Sequence, residues 1–316
     1  VIVVVTPNPA VDVTYRVARQ RIGETQRVLD VARRPGGKGL NVGRVLAGAG
    51  LSTHAVLPLG GPSGHWIADT LDELGLAHTD VRVTGETRTT VTVVDDVEHP
   101  TMFGEPGPAV TTVEWDTLTA AVDQLLATRE CTALVVSGSL PLGTDPAIVA
   151  GWVGAAARHD VPCVVDCSGE ALLVAAAAGA SVCKPNRSEL LEATGTDDER
   201  VGALRLLDRG AGVVVVSRGA EGIAAHTSDR VVEVPATGGV TGNPTGAGDA
   251  ATAGLVMAMV RSTPPRVDVA ALRSAAAYGA AAVLRPVAGE VDADAVRRFL
   301  STDDPQLHDD RTRSTA

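Results

Sequence analysis

Short runs of β-branched apolar residues alternate along this chain with longer Ala- and Leu-rich stretches whose apolar positions recur at helical spacing. That alternation predicts an α/β fold, a Rossmann-like parallel sheet with helices on both faces. Strands are predicted at residues 1–5, 53–57, 133–137, 163–166, 181–184 and 212–217, and helices at 41–49, 64–74, 114–127, 146–158 and 188–194. The unbroken run Val213-Val214-Val215-Val216 has no polar side, which suits a strand buried on both faces.

Two stretches break the pattern. Residues 10–34 and 87–104 alternate polar with β-branched side chains, as in Thr89-Thr90-Val91-Thr92-Val93-Val94, the mark of antiparallel strands with one wet face. They predict a small antiparallel β lid projecting from a main domain of residues 1–300. A sheet of that size buries little alone, so it is expected to cover a site or to pair with a second copy as a homodimer. Residues 301–316 are polar and irregular and are expected to form a flexible tail.

Aromatics make up only 2% of the 316 residues, so Val, Leu and Ala must fill the core and no stacking platform for single-stranded nucleic acid is on hand. A net charge of −11 likewise opposes a polyanion, which excludes nucleic acid as a partner. Neither a charged-then-apolar leader nor a membrane-length apolar run is present, so a cytoplasmic protein with no membrane partner is expected. Cys131, Cys163, Cys167 and Cys183 form no CxxC and read as reduced core thiols. Among 27 cationic residues only Lys38 and Lys184 are lysines, in segments resembling loops. A lysine kept in an arginine-rich chain marks a place where a compact ammonium fits and a planar guanidinium does not.

Chemistry concentrates in two glycine-rich segments. Gly242-Asn243-Pro244-Thr245-Gly246-Ala247-Gly248-Asp249 leads into a small-residue helix. Glycines at a helix entrance let backbone N–H groups face outward, and the helix dipole adds positive potential, so the turn can hold an anion. Asp249 in the first helical turn would be repelled by that anion unless a hydroxyl lay between them, which gives a carboxylate base something to do. The dinucleotide pattern GxGxxA also fits here, but late in the chain and without an acid closing the following strand, and neither lysine is followed by Ser or Thr as a Walker loop requires. In the second segment, Arg34-Pro35-Gly36-Gly37-Lys38-Gly39-Leu40-Asn41, the glycines allow close approach to a polar ligand, while Lys38 and Asn41 offer it a cation and an amide.

These segments resemble the two signatures of the ribokinase-like (PfkB) carbohydrate kinases, at Gly36 to Asn41 and at Pro244 to Asp249. The resemblance spans nearly the whole chain. Within the family it is nearest the 1-phosphofructokinase and tagatose-6-phosphate kinase group, through Gly85-Glu86-Thr87-Arg88, Glu105-Pro106-Gly107-Pro108, Ser137-Gly138-Ser139-Leu140-Pro141, Asp166-Cys167-Ser168-Gly169 and Lys184-Pro185-Asn186-x-x-Glu189-Leu190.

By that resemblance Asp249 is the catalytic base and Gly246, Ala247 and Gly248 form the anion hole for the migrating phosphoryl group. Asp12, Gly36, Gly37, Lys38, Asn41 and Ser137 line the sugar. Arg88 grips the resident phosphate of the substrate, with Arg27 and Lys38 as helpers, because a guanidinium on a lid strand can hold a phosphate bidentately. ATP lies along Lys184, Asn186, Ser217, Arg218, Gly219 and Gly222 and near Gly279, although the family more often has an apolar residue where Arg218 stands. Asn186 and Glu189 match an element that holds Mg²⁺ through water; read from the residues alone, they form a helix cap with a first-turn acid. The implied activity is ATP-dependent phosphorylation of a ketohexose phosphate, fructose 1-phosphate first, with tagatose 6-phosphate or fructose 6-phosphate as alternatives. A kinase of an unphosphorylated sugar or nucleoside and a non-catalytic sugar-phosphate sensor are the readings from other classes.

Overall fold

The computed structural model describes residues 1–95 and 100–301. In chain order its strands and helices are β1 (Ile2–Val5), β2 (Ala10–Arg16), β3 (Asp30–Gly36), α1 (Lys38–Gly48), β4 (Thr53–Leu59), α2 (Gly61–Glu73), β5 (His78–Arg82), β6 (Arg88–Val94), β7 (Thr101–Gly104), α3 (Thr112–Leu126), β8 (Ala133–Ser137) and α4 (Ala147–Arg158). They continue with β9 (Cys163–Asp166), α5 (Gly169–Ala177), β10 (Val182–Cys183), α6 (Arg187–Thr194), α7 (Glu199–Arg209), β11 (Val213–Ser217), β12 (Ile223–His226), β13 (Val231–Val234), α8 (Ala247–Arg261), α9 (Val269–Val283) and α10 (Ala293–Ser301).

The main sheet has the order β13-β12-β11-β10-β9-β8-β1-β4-β5. It is parallel from β11 through β5, and the β12–β13 hairpin adds two antiparallel strands at one edge. Side chains alternate across a strand, so Val3 and Val5 of β1 enter one core while Ile2 and Val4 enter the other. The first core packs α3, α4, α5 and α7 through Leu118, Trp152, Leu172 and Leu206; Trp115 meets Trp152 edge-on at 5.9 Å. The second packs α1, α8, α9 and α10 through Leu46, Val256, Leu272 and Val296. Small residues bring α8 and α9 close: a Cβ on Gly254 would lie 2.6 Å from the Ser274 carbonyl oxygen.

The smaller sheet has the order β3-β2-β6-β7. Its outer pairs are antiparallel and its central pair, β2–β6, is parallel, because both of these strands run outward while β3 and β7 return. Val11 and Val13 seat it on Leu40, Leu57, Leu59 and Ile67.

Pattern reading located the strands β1, β4, β8, β9, β10 and β11 to within two residues at either end. It did not show β5, α5, α7, α10 or the β12–β13 hairpin. The apolar positions of α5 extend almost all round it, and β12 is only four residues, so neither carries a readable period. α1 begins at Lys38, three residues before the predicted helix, because Gly37 supplies its cap at φ 102°. The three buried cysteines and half-buried Cys131 are free thiols, as expected. Among the described residues, no helix is long and apolar enough to cross a membrane. Residues 302–316 of the expected tail and residues 96–99 of the expected lid lie outside the described residues.

Candidate active site

Parallel sheets gather ligands at the carboxyl ends of their strands. Here β8 ends on Ser137, β9 on Asp166 and β11 on Ser217, with Lys184 directly after β10. Above this edge a cavity of about 620 Å³ opens between the small sheet, the start of α8 and residues 286–288.

Gly246 stands at the cap of α8, and its φ of 81° is a left-handed conformation that glycine adopts without strain. A Cβ there would lie 2.7 Å from that of Ala288, so a side chain would push the turn off its support. No side chain caps the helix, and the Ala247 amide turns back onto the Pro244 carbonyl at 3.1 Å. The amides of Gly248 and Asp249, with no helical acceptor before them, are therefore the donors an anion would meet. Gly246 and Asp249 line the cavity, with Asn243, Pro244 and Thr245, while Gly248 between them is exposed.

Asp249 is buried, and its carboxylate accepts a hydrogen bond from Asn41 Nδ2 at 2.9 Å. Burial, followed by the charge of Asp166, pushes its pKa up to about 6, against the pull of Asn41 and the two lysines. A carboxylate raised toward neutrality is a stronger base than an ordinary one.

Lys38 opens onto the same cavity. Its ammonium lies 3.2 Å from Glu189 and 3.7 Å from Asp166, and these charges, Asp166 foremost, raise its pKa despite burial. Lys38 thus stands at the acidic side of the cavity that Arg88 also lines. Lys184 follows β10 in irregular chain, as its neighbours imply, but it is buried, with its ammonium 3.1 Å from Asp166 and no share in the cavity wall. Asp166 also accepts the Thr252 hydroxyl at 2.6 Å; burial opposes its ionisation, but Lys184, Lys38 and that hydroxyl hold its pKa below the ordinary value.

Asn186 caps α6, and its Oδ1 accepts the Glu189 amide at 2.8 Å while Glu189 Oε2 accepts the Asn186 amide at 2.9 Å. The helix cap read from the residues alone is therefore formed, and only Glu189 of the pair lines the cavity. Its other oxygen faces Lys38, so two carboxylates, Glu189 and Asp166, converge there. Of the two, only Glu189 lines the cavity, since both Asp166 oxygens are taken by Lys38, Lys184 and Thr252. Glu189 is the hard oxygen donor that a divalent cation keeping its waters could meet, whereas the Asn186 oxygen is occupied by the cap.

On the lid side, Gly36 makes room for Asp12: a Cβ there would lie 2.0 Å from its carboxylate. Asp12 accepts the Gly37 amide, and burial raises its pKa to about 6 although Arg88 opposes the shift. Arg88 directs Nε and Nη2 at the Asn8 carbonyl (3.2 and 3.1 Å) and Nη1 at that of Glu105 (3.0 Å). Three of its five N–H groups are thereby used to hold the guanidinium in place at the cavity, leaving two for a ligand.

Other expected residues are not brought there. Ser137 is fully buried, since its side chain ends a strand between two packed layers; the chain turns at Gly138, φ 123°, so that Gly138 and Ser139 reach the cavity instead. Arg27 stands on the exposed connection between β2 and β3, away from the cavity wall. Gly279 is interior to α9, where a Cβ would lie 3.2 Å from the Ala247 carbonyl oxygen; it permits helix packing beneath the anion turn. Ser217, Arg218, Gly219 and Gly222 lie along the end of β11, outside the cavity, and the Arg218 side chain is taken up by Glu199 and Glu233.

Sequence reasoning missed Asp166 as the junction of both lysines; an acid closing the apolar run Cys163–Asp166 was the available signal. It also missed Asn8, in the turn before β2, and Thr90, Thr92 and Arg34 as wall residues, which only the pairing of β2 with β3 and β6 aligns.

Residues 6–294 match the family described as pfkB family carbohydrate kinase. Among solved structures, the chain is similar to phosphofructokinase-2 from Escherichia coli in complex with fructose-6-phosphate, at 27% identity and a TM-score of 0.84, covering 95% of this chain and 97% of that one. A possible 1-phosphofructokinase from Thermotoga maritima shares the fold at 24% identity and a TM-score of 0.82, with the same coverage. Ribokinase from Thermotoga maritima shares it at 21% identity and a TM-score of 0.71, over 95% of this chain and 99% of that one.

Proposed function

We propose that this chain, which belongs to the pfkB family of carbohydrate kinases, transfers the γ-phosphoryl group of ATP to a hydroxyl of a ketohexose phosphate, fructose 1-phosphate first. One observation carries the reading: the buried base Asp249, the uncapped start of α8 and the anchored guanidinium of Arg88 all face one cavity. Arg88 holds the phosphate already on the sugar, and Asp12 and Asn41 take its hydroxyls. Asp249 accepts the proton of the attacking hydroxyl. The Gly248 and Asp249 amides and the Lys38 ammonium meet the charge on the migrating phosphoryl oxygens, which is most of what phosphoryl transfer asks of a protein. Bound Mg²⁺ would supply further neutralisation of the nucleotide's phosphate oxygens, and Glu189 would hold it through water. The complex of the Escherichia coli enzyme with fructose-6-phosphate makes that sugar phosphate the second reading.

The test is ADP release over fructose 1-phosphate, fructose 6-phosphate, tagatose 6-phosphate, fructose and ribose. At least one phosphosugar is expected to exceed both neutral sugars in kcat/KM by about 100-fold, and Arg88→Ala is expected to raise its KM by about 10- to 100-fold with KM for ATP unchanged. Equal turnover of fructose or ribose, or an unmoved KM, would overturn the phosphosugar assignment.

Homodimer formation through the small sheet belongs to the same reading. Val31 and Phe103 on it, with Ile22 and Leu29 on the β2–β3 connection, are exposed apolar residues suited to a second copy. Light scattering should show twice the chain mass for the wild type and a shift toward monomer for Phe103→Asp; a wild-type monomer at micromolar concentration rules the dimer out.

A further inference from the structure

We propose that Glu199, at the start of α7, is the positioning residue that sets the nucleotide-binding turn at the end of β11. The inference rests on the kinase reading above and names a determinant of that site.

The turn itself is a single 3-10 turn, Gly219–Glu221, closed by the Arg218 amide on the Gly222 carbonyl at 2.8 Å. It is packed so closely that a Cβ on Gly222, φ 102°, would lie 2.2 Å from the Val234 carbonyl oxygen. The Arg218 side chain does not reach for a ligand. Its Nε donates to both Glu199 oxygens at 3.0 Å, its Nη2 to Glu199 at 2.6 Å and its Nη1 to Glu233 at 2.7 Å. The opposite side of the turn is held by Arg187, which grips Glu221 through both terminal nitrogens (2.7 and 2.8 Å) and gives its Nε to Glu199 at 2.9 Å. His226 Nε2 lies 2.9 Å from the same carboxylate.

Glu199 is therefore the one group, among those described, on which Arg187, Arg218 and His226 all meet. Despite burial, hydrogen bonds from Arg218, Arg187 and His226 hold its pKa down to about 2, so it stays ionised as their common anchor. Arg187 is the first residue of α6, next to the Asn186–Glu189 cap that borders the cavity. Through Glu199, the cavity's acidic side and the glycine turn are locked in one register, supported by the Ser217 amide on the Pro185 carbonyl at 3.2 Å. A nucleotide with its phosphates at α8 and its other end along β11 must span both. The spacing of these two elements then governs nucleotide affinity and leaves the sugar side untouched.

Glu199→Gln preserves shape and removes the charge, and Arg187→Gln cuts the link to Glu221 from a half-exposed position should the first variant fold poorly. Steady-state kinetics on the full chain should show KM for ATP raised about tenfold, with kcat and KM for the sugar phosphate within about twofold. Calorimetric titration with ATP alone should show the same loss, and Glu199→Asp should restore part of it. Unchanged ATP affinity in a folded variant overturns the proposal, as does a parallel rise in both KM values, which marks a general loosening. A wild-type chain that hydrolyses or transfers nothing from ATP overturns the kinase reading itself and is seen before any variant is made.

Discussion

Asp249→Asn is expected to lower kcat by about 10²- to 10⁴-fold while KM for ATP stays within about twofold. Asparagine keeps the shape and the Asn41 contact but cannot take a proton. The cost should fall on the transition state alone, since the α8 amides that meet the phosphates are backbone groups and remain. The same base predicts the pH dependence. It works only when ionised, and burial with the nearby Asp166 charge raises its pKa to about 6. Activity should therefore fall as pH drops through about 6 and level off above it. Asp12, raised to the same region, sharpens that limb if it must also be ionised to hold the sugar. A variant retaining more than about a tenth of wild-type kcat would show that another group accepts the proton.

Lys184→Met should destabilise the protein by about 3 kcal/mol or more, because it leaves the Asp166 carboxylate in the core without its nearest counter-charge. Lys38 and Thr252 still face Asp166, which places the loss toward the lower end of the range for a broken buried pair. Chemical denaturation at neutral pH measures it through the midpoint at constant slope. A second consequence reaches the site. With less neutralisation around Asp166, its charge bears harder on Asp249, so the acid limb of the rate profile should move to higher pH in the folded variant. An unshifted midpoint together with an unshifted limb would mean that Lys184 carries no part of this electrostatic arrangement.

Much of the site was legible because its chemistry is local. Gly246 and Asp249 are three residues apart, and a helix entrance rich in glycine announces exposed amides whatever surrounds it. Lys38 and Asn41 share the first turn of one helix, so the two arrive together. Arg88 could be placed on a lid strand from alternation alone. Asn186 and Glu189 illustrate the converse: the spacing showed a cap, and the cap formed, but which of the two faces a cavity depends on where α6 is set down.

The amino-acid order alone determined the layered α/β plan, the small polar-faced sheet and the two glycine turns, because period, propensity and backbone freedom act over a few residues. Tertiary structure decided the electrostatics. Asp166 gathers Lys38, Lys184 and Thr252 from three distant parts of the chain, Glu199 gathers Arg187, Arg218 and His226, and Ser137 faces inward where its neighbours do not. Such meetings depend on strand order and on the face each strand turns to the core, and a shift of one residue in register would reverse every one of those faces.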